Sequence, residues 1–156
     1  VKGINYLIAT FFYSGYFPKA PGTFASFVAG IFACLILHFR GINFLFAFFV
    51  ISTLLGFFSS GYVEKKERKK DPSIVVIDEV AGILASVLII AFFYNGILWN
   101  FVLSFLFFRL YDIFKVFPVN KMENIGGGSG IMLDDIVAGI MAGVSGLVIL
   151  FIFGKI

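Results

Sequence analysis

Carboxylates occur in this chain as two adjacent pairs, Asp78-Glu79 and Asp134-Asp135, with Asp71 and Asp112 close to further apolar sequence. Such groups are hard oxygen donors, the type that holds Mg²⁺, Mn²⁺ or Ca²⁺ rather than zinc or copper. Arg109, Asp112 and Lys115 recur at intervals of three, so on a helix they share an arc of about 120°. A basic, acidic, basic stripe of that kind can form a salt-bridge ladder, and its Arg and Lys are suited to neutralising phosphate oxygens. Pro21-Gly22-Thr23 leads into a helix whose free N–H groups favour an anion, and Gly126-Gly127-Gly128-Ser129-Gly130 is expected to be a loop leading into another, ahead of Asp134-Asp135. Together these features describe metal-assisted phosphoryl chemistry.

Other nucleophilic routes lack their residues. The single histidine, His38, lies at the far end of the first apolar span, away from the acids. The single cysteine, Cys34, sits inside that span with no phosphate-binding loop after it, and reads as a small packing residue. What remains is a metal-activated water or an aspartate nucleophile held near the metal.

The elements that must position these groups are membrane helices. The 156 residues are 60% hydrophobic and 13% charged, with mean hydropathy +1.04, far from the roughly one-quarter charged residues of a soluble domain. Apolar runs at 24–39, 42–60, 73–93, 96–114 and 136–153 approach the ~20 residues that a helix needs to cross a bilayer. The run 4–17 is shorter and ends at Pro18 and Pro21, so it reads as an interfacial or re-entrant helix. The fold class expected is an all-α polytopic membrane protein of about four to five embedded helices plus that N-terminal one, forming a single domain over 1–156. No secretory signal peptide is evident after Lys2, because no small-residue cleavage site closes the first apolar stretch.

Alternation of the five spans sorts the charges. Ten of the twelve basic residues fall on one side, leaving only Arg40 and Lys155 opposite; the positive-inside rule makes the richer side cytoplasmic. All nine acids, Glu64, Glu67, Asp71, Asp78, Glu79, Asp112, Glu123, Asp134 and Asp135, fall there too. Topology does not require that segregation, since acids contribute little to orientation. The run 64–70 is a solvated helix end suited to an anionic lipid surface. Asp71-Pro72 reads as an N-cap followed by proline at the first helical position, which would put Asp78 and Glu79 almost two turns into the third helix. An ionised group at membrane depth costs at least ~2.5 kcal/mol unless it faces protein, water or a partner. Asp135, Ala138, Gly139, Ala142, Gly143 and Gly146 share one stripe of the last helix, the small-residue surface used for close helix packing. Asp135 should therefore point into the bundle, with Asp134 about 100° around the helix near the water boundary.

The blocks Pro21-Gly22-Thr23-Phe24-Ala25-Ser26, Asp71-Pro72-Ser73-Ile74-Val75-Val76-Ile77-Asp78-Glu79-Val80-Ala81-Gly82, Arg109-Leu110-Tyr111-Asp112-Ile113-Phe114-Lys115 and Gly130-Ile131-Met132-Leu133-Asp134-Asp135-Ile136-Val137-Ala138-Gly139 resemble, in order, the signature blocks of the phosphatidylglycerophosphatase A family. The resemblance implies a bacterial, Mg²⁺-dependent enzyme that removes the terminal phosphate of phosphatidylglycerophosphate to give phosphatidylglycerol, at the cytoplasmic face of the inner membrane. One departure is visible: the family usually has Lys-Pro-x-Pro here, whereas Lys115 is followed by Val116-Phe117-Pro118, a change that bears on helix termination more than on chemistry.

On that reading Asp78, Glu79, Asp134 and Asp135 surround one or more Mg²⁺ ions, with Asp71 and Asp112 as further ligands or supports. Arg109 and Lys115 clamp the phosphate, and Thr23 and its backbone add hydrogen bonds. The partners expected are the lipid substrate and the membrane, with no nucleic acid. A small cation transporter would also bury carboxylates between small-residue helices, but its charges should connect to both sides.

Overall fold

The computed structural model describes residues 2–122 and 125–156; Glu123, counted above among the acids, lies outside them. Among the described residues every regular element is helical: α1 (Lys2–Ala9), a 3₁₀ turn (Ser14–Tyr16), α2 (Pro21–Arg40), α3 (Ile42–Glu67), α4 (Ile77–Phe93), α5 (Ile97–Phe114), α6 (Val119–Met122) and α7 (Gly127–Ile152). Four of them, α2, α3, α5 and α7, are long and apolar enough to cross a membrane, and their outer faces expose large side chains such as Phe46, Phe58, Leu98 and Phe151. In water those faces would be untenable; against lipid they need no cover. The chain is a helical membrane protein.

The third apolar run becomes the axis of the bundle. Helix α4 has 17 residues, about 25 Å at 1.5 Å per residue, short of a ~30 Å hydrocarbon core. It packs against α2, α3, α5 and α7, and 12 of its 17 residues are buried. A helix apolar all round belongs inside, and α4 is enclosed by the longer spans.

Small residues set the spacing. A Cβ placed on Gly139 of α7 would lie 2.8 Å from the carbonyl carbon and 3.0 Å from the Cα of Gly82 on α4. A Cβ on Gly128 would fall 2.5 Å from the Phe57 carbonyl oxygen and 2.7 Å from the Gly61 nitrogen, both on α3. These close approaches are the packing that a small-residue stripe permits.

Four boundaries differ from the sequence expectation. Helix α4 starts at Ile77, not near residue 73, and Asp71-Pro72 does not cap it: Asp71 takes a left-handed φ of 47°, and Val75 N–H closes a turn on the Pro72 carbonyl at 2.8 Å. The cause is tertiary, since Val76 N–H is spent on the Ala9 carbonyl at the end of α1, 2.9 Å away, and Val75 and Val76 are buried. Asp78 and Glu79 consequently stand in the first turn of α4. Helix α7 begins at Gly127, so the glycine-rich run is mostly helix; its glycines serve the approach to α3 rather than loop freedom. Helix α3 continues to Glu67 and carries the first half of the charged run, Glu64 to Glu67, on its last turn, while Arg68, Lys69 and Lys70 follow it. Finally, 4–17 is not one helix, because Phe11, Phe12 and Tyr13 all have positive φ and break α1 from the 3₁₀ turn.

Candidate active site

The start of α2, the end of α5, the first turn of α4, the third turn of α7 and the strap before α4 meet around one cavity of about 250 Å³. Its lining includes Thr23, Asp71, Asp78, Glu79, Arg109, Asp112, Lys115, Asp134 and Asp135. All nine residues singled out from sequence therefore border the same space, although they come from five separate segments.

Within it the acids divide into two groups. Asp78, Glu79 and Asp135 each offer a carboxylate oxygen within 4.8 Å of the others. Asp78 Oδ1, Glu79 Oε2 and Asp135 Oδ1 are buried without a hydrogen-bond partner among the described residues. Three carboxylates packed this closely, each with one buried oxygen left unpartnered, are costly in a low-dielectric setting. A divalent cation relieves that cost, and an all-carboxylate set is the donor type that hard divalent ions such as Mg²⁺, Mn²⁺ and Ca²⁺ take.

Asp112 and Asp134 are instead committed to cations. Arg109 Nη1 lies 2.5 Å from Asp112 Oδ2, and Lys115 Nζ lies 3.7 Å from Asp112 Oδ1 while forming an ion pair with Asp134 Oδ2. The expected ladder is present and extends across to α7. Asp134 also accepts a hydrogen bond from the Asp135 N–H at 3.0 Å. It is buried rather than at the water boundary, because Lys115 reaches in to neutralise it. Lys115 itself ends α5 in a left-handed conformation, φ 45°. Burial opposes its charge, but the hydrogen bond to Asp134 and the charges of Asp135, Asp134 and Asp112 outweigh it and hold the ammonium above the ordinary lysine range.

Two supporting residues, Gly22 and Ser26, belong to the first of the resembling blocks but were given no side-chain role there. A Cβ on Gly22 would meet the carboxylate of Glu79, its Cδ at 2.7 Å, so the missing side chain lets Glu79 lie against the start of α2. Ser26, fully buried, donates to the Gly22 carbonyl at 2.7 Å and accepts from Arg109 Nη1 at 3.4 Å. Their i, i+4 spacing on α2 is the signal that could have found them. Arg109 keeps its Nε buried and without a hydrogen-bond partner among the described residues, leaving a donor for a further acceptor.

Comparison with known proteins agrees with the geometry. The family model described as phosphatidylglycerophosphatase A matches residues 7–150. A Bacteroides thetaiotaomicron protein named putative phosphatidylinositol-3-phosphatase is 35% identical over 138 residues, covering 86% of this chain and 86% of that one. Proteins named phosphatidylglycerophosphatase A from Haemophilus influenzae and Escherichia coli are 32% and 30% identical, each over 88% of this chain and over 83% and 78% of their own lengths. No solved structure matches the chain. With a family model that spans residues 7–150, and so every segment that builds this cavity, and relatives that cover 88% of the chain, the protein belongs to the phosphatidylglycerophosphatase A family and is a phosphatase.

Proposed function

We propose that the protein hydrolyses the terminal phosphomonoester of phosphatidylglycerophosphate, giving phosphatidylglycerol and inorganic phosphate, at the cytoplasmic face of a bacterial inner membrane and with Mg²⁺ as cofactor. The observation that carries this reading is the meeting of two groups in the lining of one small cavity: three carboxylate oxygens on Asp78, Glu79 and Asp135 without a partner among the described residues, and the cations Arg109 and Lys115.

Asp78, Glu79 and Asp135 would hold the ion; when bound it supplies Lewis-acid polarisation of the phosphate and a lowered pKa for a nearby water. Arg109 offers its unpaired Nε to a phosphate oxygen while Asp112 and Ser26 fix the guanidinium plane. Lys115 places a second positive charge at the same cavity, anchored by Asp134 and Asp112. Thr23 and the first N–H groups of α2 face the same space and favour an anion. Asp71, on the strap, closes the cavity beside the start of α4. In the net reaction water oxygen bonds to phosphorus, the phosphorus–oxygen bond to the glycerol breaks, and the proton released by water is balanced by the one taken up by the leaving alcohol. The acyl chains remain in the bilayer, and the ten-to-two distribution of basic residues supports a cytoplasmic position for the cavity.

A transport role finds no support in the described residues. The cavity of about 460 Å³ at the opposite end, bordered by His38, Tyr94, Asn95 and Asn100, has no acid in its lining.

The test is phosphate release by purified protein from phosphatidylglycerophosphate, with and without Mg²⁺, beside phosphatidylinositol 3-phosphate and phosphatidic acid. Release that needs the metal and favours the first lipid supports the proposal. Equal release after complete chelation, or preference for another headgroup, overturns the corresponding part.

A further inference from the structure

Large apolar side chains stand on both flanks of the cavity, at or just beyond the ends of the spanning helices. On one flank the segment ahead of α2 exposes Phe12 (73%), Tyr13, Tyr16 and Phe17; on the other, the end of α5 and the turn after it expose Phe114 and Phe117 (67%). The first flank leads into Ala20 and Pro21 and the second surrounds Lys115, all three of which line the cavity.

The first flank is built, not frayed. Thr10, fully buried, donates to the Tyr6 carbonyl at 2.7 Å and accepts from the Tyr13 N–H at 3.1 Å, and Ser14 donates to the Thr10 carbonyl at 3.0 Å. These bonds hold Phe11, Phe12 and Tyr13 in the left-handed region, which bulky residues rarely occupy. The result turns the Phe12 and Tyr13 side chains outward. Phe17 stacks on Phe24 with centroids 4.1 Å apart, fastening the flank to the start of α2. On the second flank the Lys121 ammonium sits 5.0 Å over the Phe117 ring.

We infer that these two aromatic flanks form a collar seated in the headgroup layer of an anionic leaflet, so that the cavity opens at the depth of lipid phosphates and is reached from within the membrane plane. Three observations select a leaflet over a protein partner. The collar is continuous with the lipid-facing surface of α5, whose last residue is Phe114. Its composition, Phe and Tyr beside Lys19 and Lys121, is that of interfacial belts, in which rings sit at headgroup level and cations meet lipid phosphates. The adjoining end of α3 carries exposed Lys65 and Lys66, followed by exposed Arg68, Lys69 and Lys70, complementary to a negative surface. The collar would thereby favour membrane-resident phosphomonoesters over soluble ones, a consequence that rests on the phosphatase reading above.

The experiment uses the full chain in nanodiscs of phosphatidylethanolamine and phosphatidylglycerol, with Trp99→Phe to remove the native indole and Phe12→Trp or Phe117→Trp to report on each flank. Quenching by lipids spin-labelled near the headgroup, with protection from aqueous iodide, is expected at both positions. Iodide quenching without lipid quenching overturns the collar, as does resistance to both quenchers, which would place a second copy or another protein on this face. A kinetic arm pairs Phe12→Ser with Phe117→Ser. The apparent KM in lipid mole fraction should rise roughly tenfold while turnover of a dispersed dibutyroyl substrate stays at the parent value; an equal loss on both substrates overturns the role in substrate access. Fluorescence requires no activity, so failure of the phosphatase reading would leave the quenching result intact and be told apart from failure of the collar.

Discussion

Gly139 lies against the backbone of Gly82 with no room for a methyl group, one helical turn beyond Asp135 on α7 and Asp78 on α4. The contact fixes the depth at which the two carboxylate-bearing helices cross. Gly139→Ala should force α4 and α7 apart, destabilising the protein by about 1–3 kcal/mol as overpacking does, and lowering activity although every charged group remains. Thermal unfolding of the detergent-solubilised variant beside its phosphate release checks this; a fully stable, fully active variant would show that the crossing does not set the site.

Gly22→Ala probes the same cluster from α2 with a smaller structural cost. The new methyl meets the flexible end of Glu79 rather than backbone, so the carboxylate can swing aside. Stability should fall by less than about 1 kcal/mol, while the Mg²⁺ concentration for half-maximal activity rises several-fold. An unchanged metal requirement would argue against Glu79 as a ligand.

Metal ligation and phosphate clamping are separable by two conservative changes. Asp135→Asn keeps shape and loses charge, so its activity should collapse at limiting Mg²⁺ and recover in part at high Mg²⁺. Arg109→Lys keeps charge and loses the planar fork; it should lose kcat/KM by roughly tenfold or more, with its Mg²⁺ dependence near the parent's. Since removal of one member of a buried charged cluster can cost ~3–5 kcal/mol, monodisperse behaviour must be established for each variant first. Wild-type turnover of both at limiting Mg²⁺ would remove the proposed site.

Lys115 and Asp134 should behave as one unit. Lys115→Met strands a buried carboxylate and is expected to cost about 2–3 kcal/mol; the double change Lys115→Met with Asp134→Leu should cost less than the sum of the single changes. A double-mutant cycle on unfolding midpoints reads the coupling, and strict additivity would mean that the pair contributes nothing in the membrane. Because the folded-state pKa of Lys115 is raised, its contribution is fully present below the unfolded lysine value near 10.4 and is lost only as pH climbs through the higher folded value. The coupling should therefore be flat from pH 6 to pH 9.

Sidedness has its own test. In a Cys34→Ala background, cysteines at Lys69 and at Asn95 should label from opposite faces, Lys69 from the cytoplasm. Labelling of both from the same side would contradict the alternation of the spans.

Much of this was readable in the amino-acid order. Apolar run length located the helices, and an ionised pair such as Asp78-Glu79 is conspicuous where charges are expensive. The sequence also singled out nine residues that line the one cavity, because a membrane protein with so few acids leaves little noise around them. What sequence could not supply was partner choice. Asp134 and Asp135 are neighbours with the same chemistry, and only the reach of Lys115 from α5 separates one from the metal-like trio. Local rules also gave way to tertiary ones: Asp71-Pro72 has the composition of a helix start, but a hydrogen bond from Val76 to Ala9 delayed the helix, and glycines that read as loop became the helical surface that meets α3.

The enclosure of α4 bears on how such a chain is made. During synthesis α4 emerges before α5 and α7, yet the surfaces that cover it belong partly to those later helices. Helix α4 is apolar beyond its leading turn, but the two acids of that turn gain Asp135 as a neighbour only when α7 arrives. The acidic cluster and the cover of α4 are thus completed together by the last helix, and a chain interrupted after α5 would leave the α7-facing side of α4 open and the cluster without Asp135.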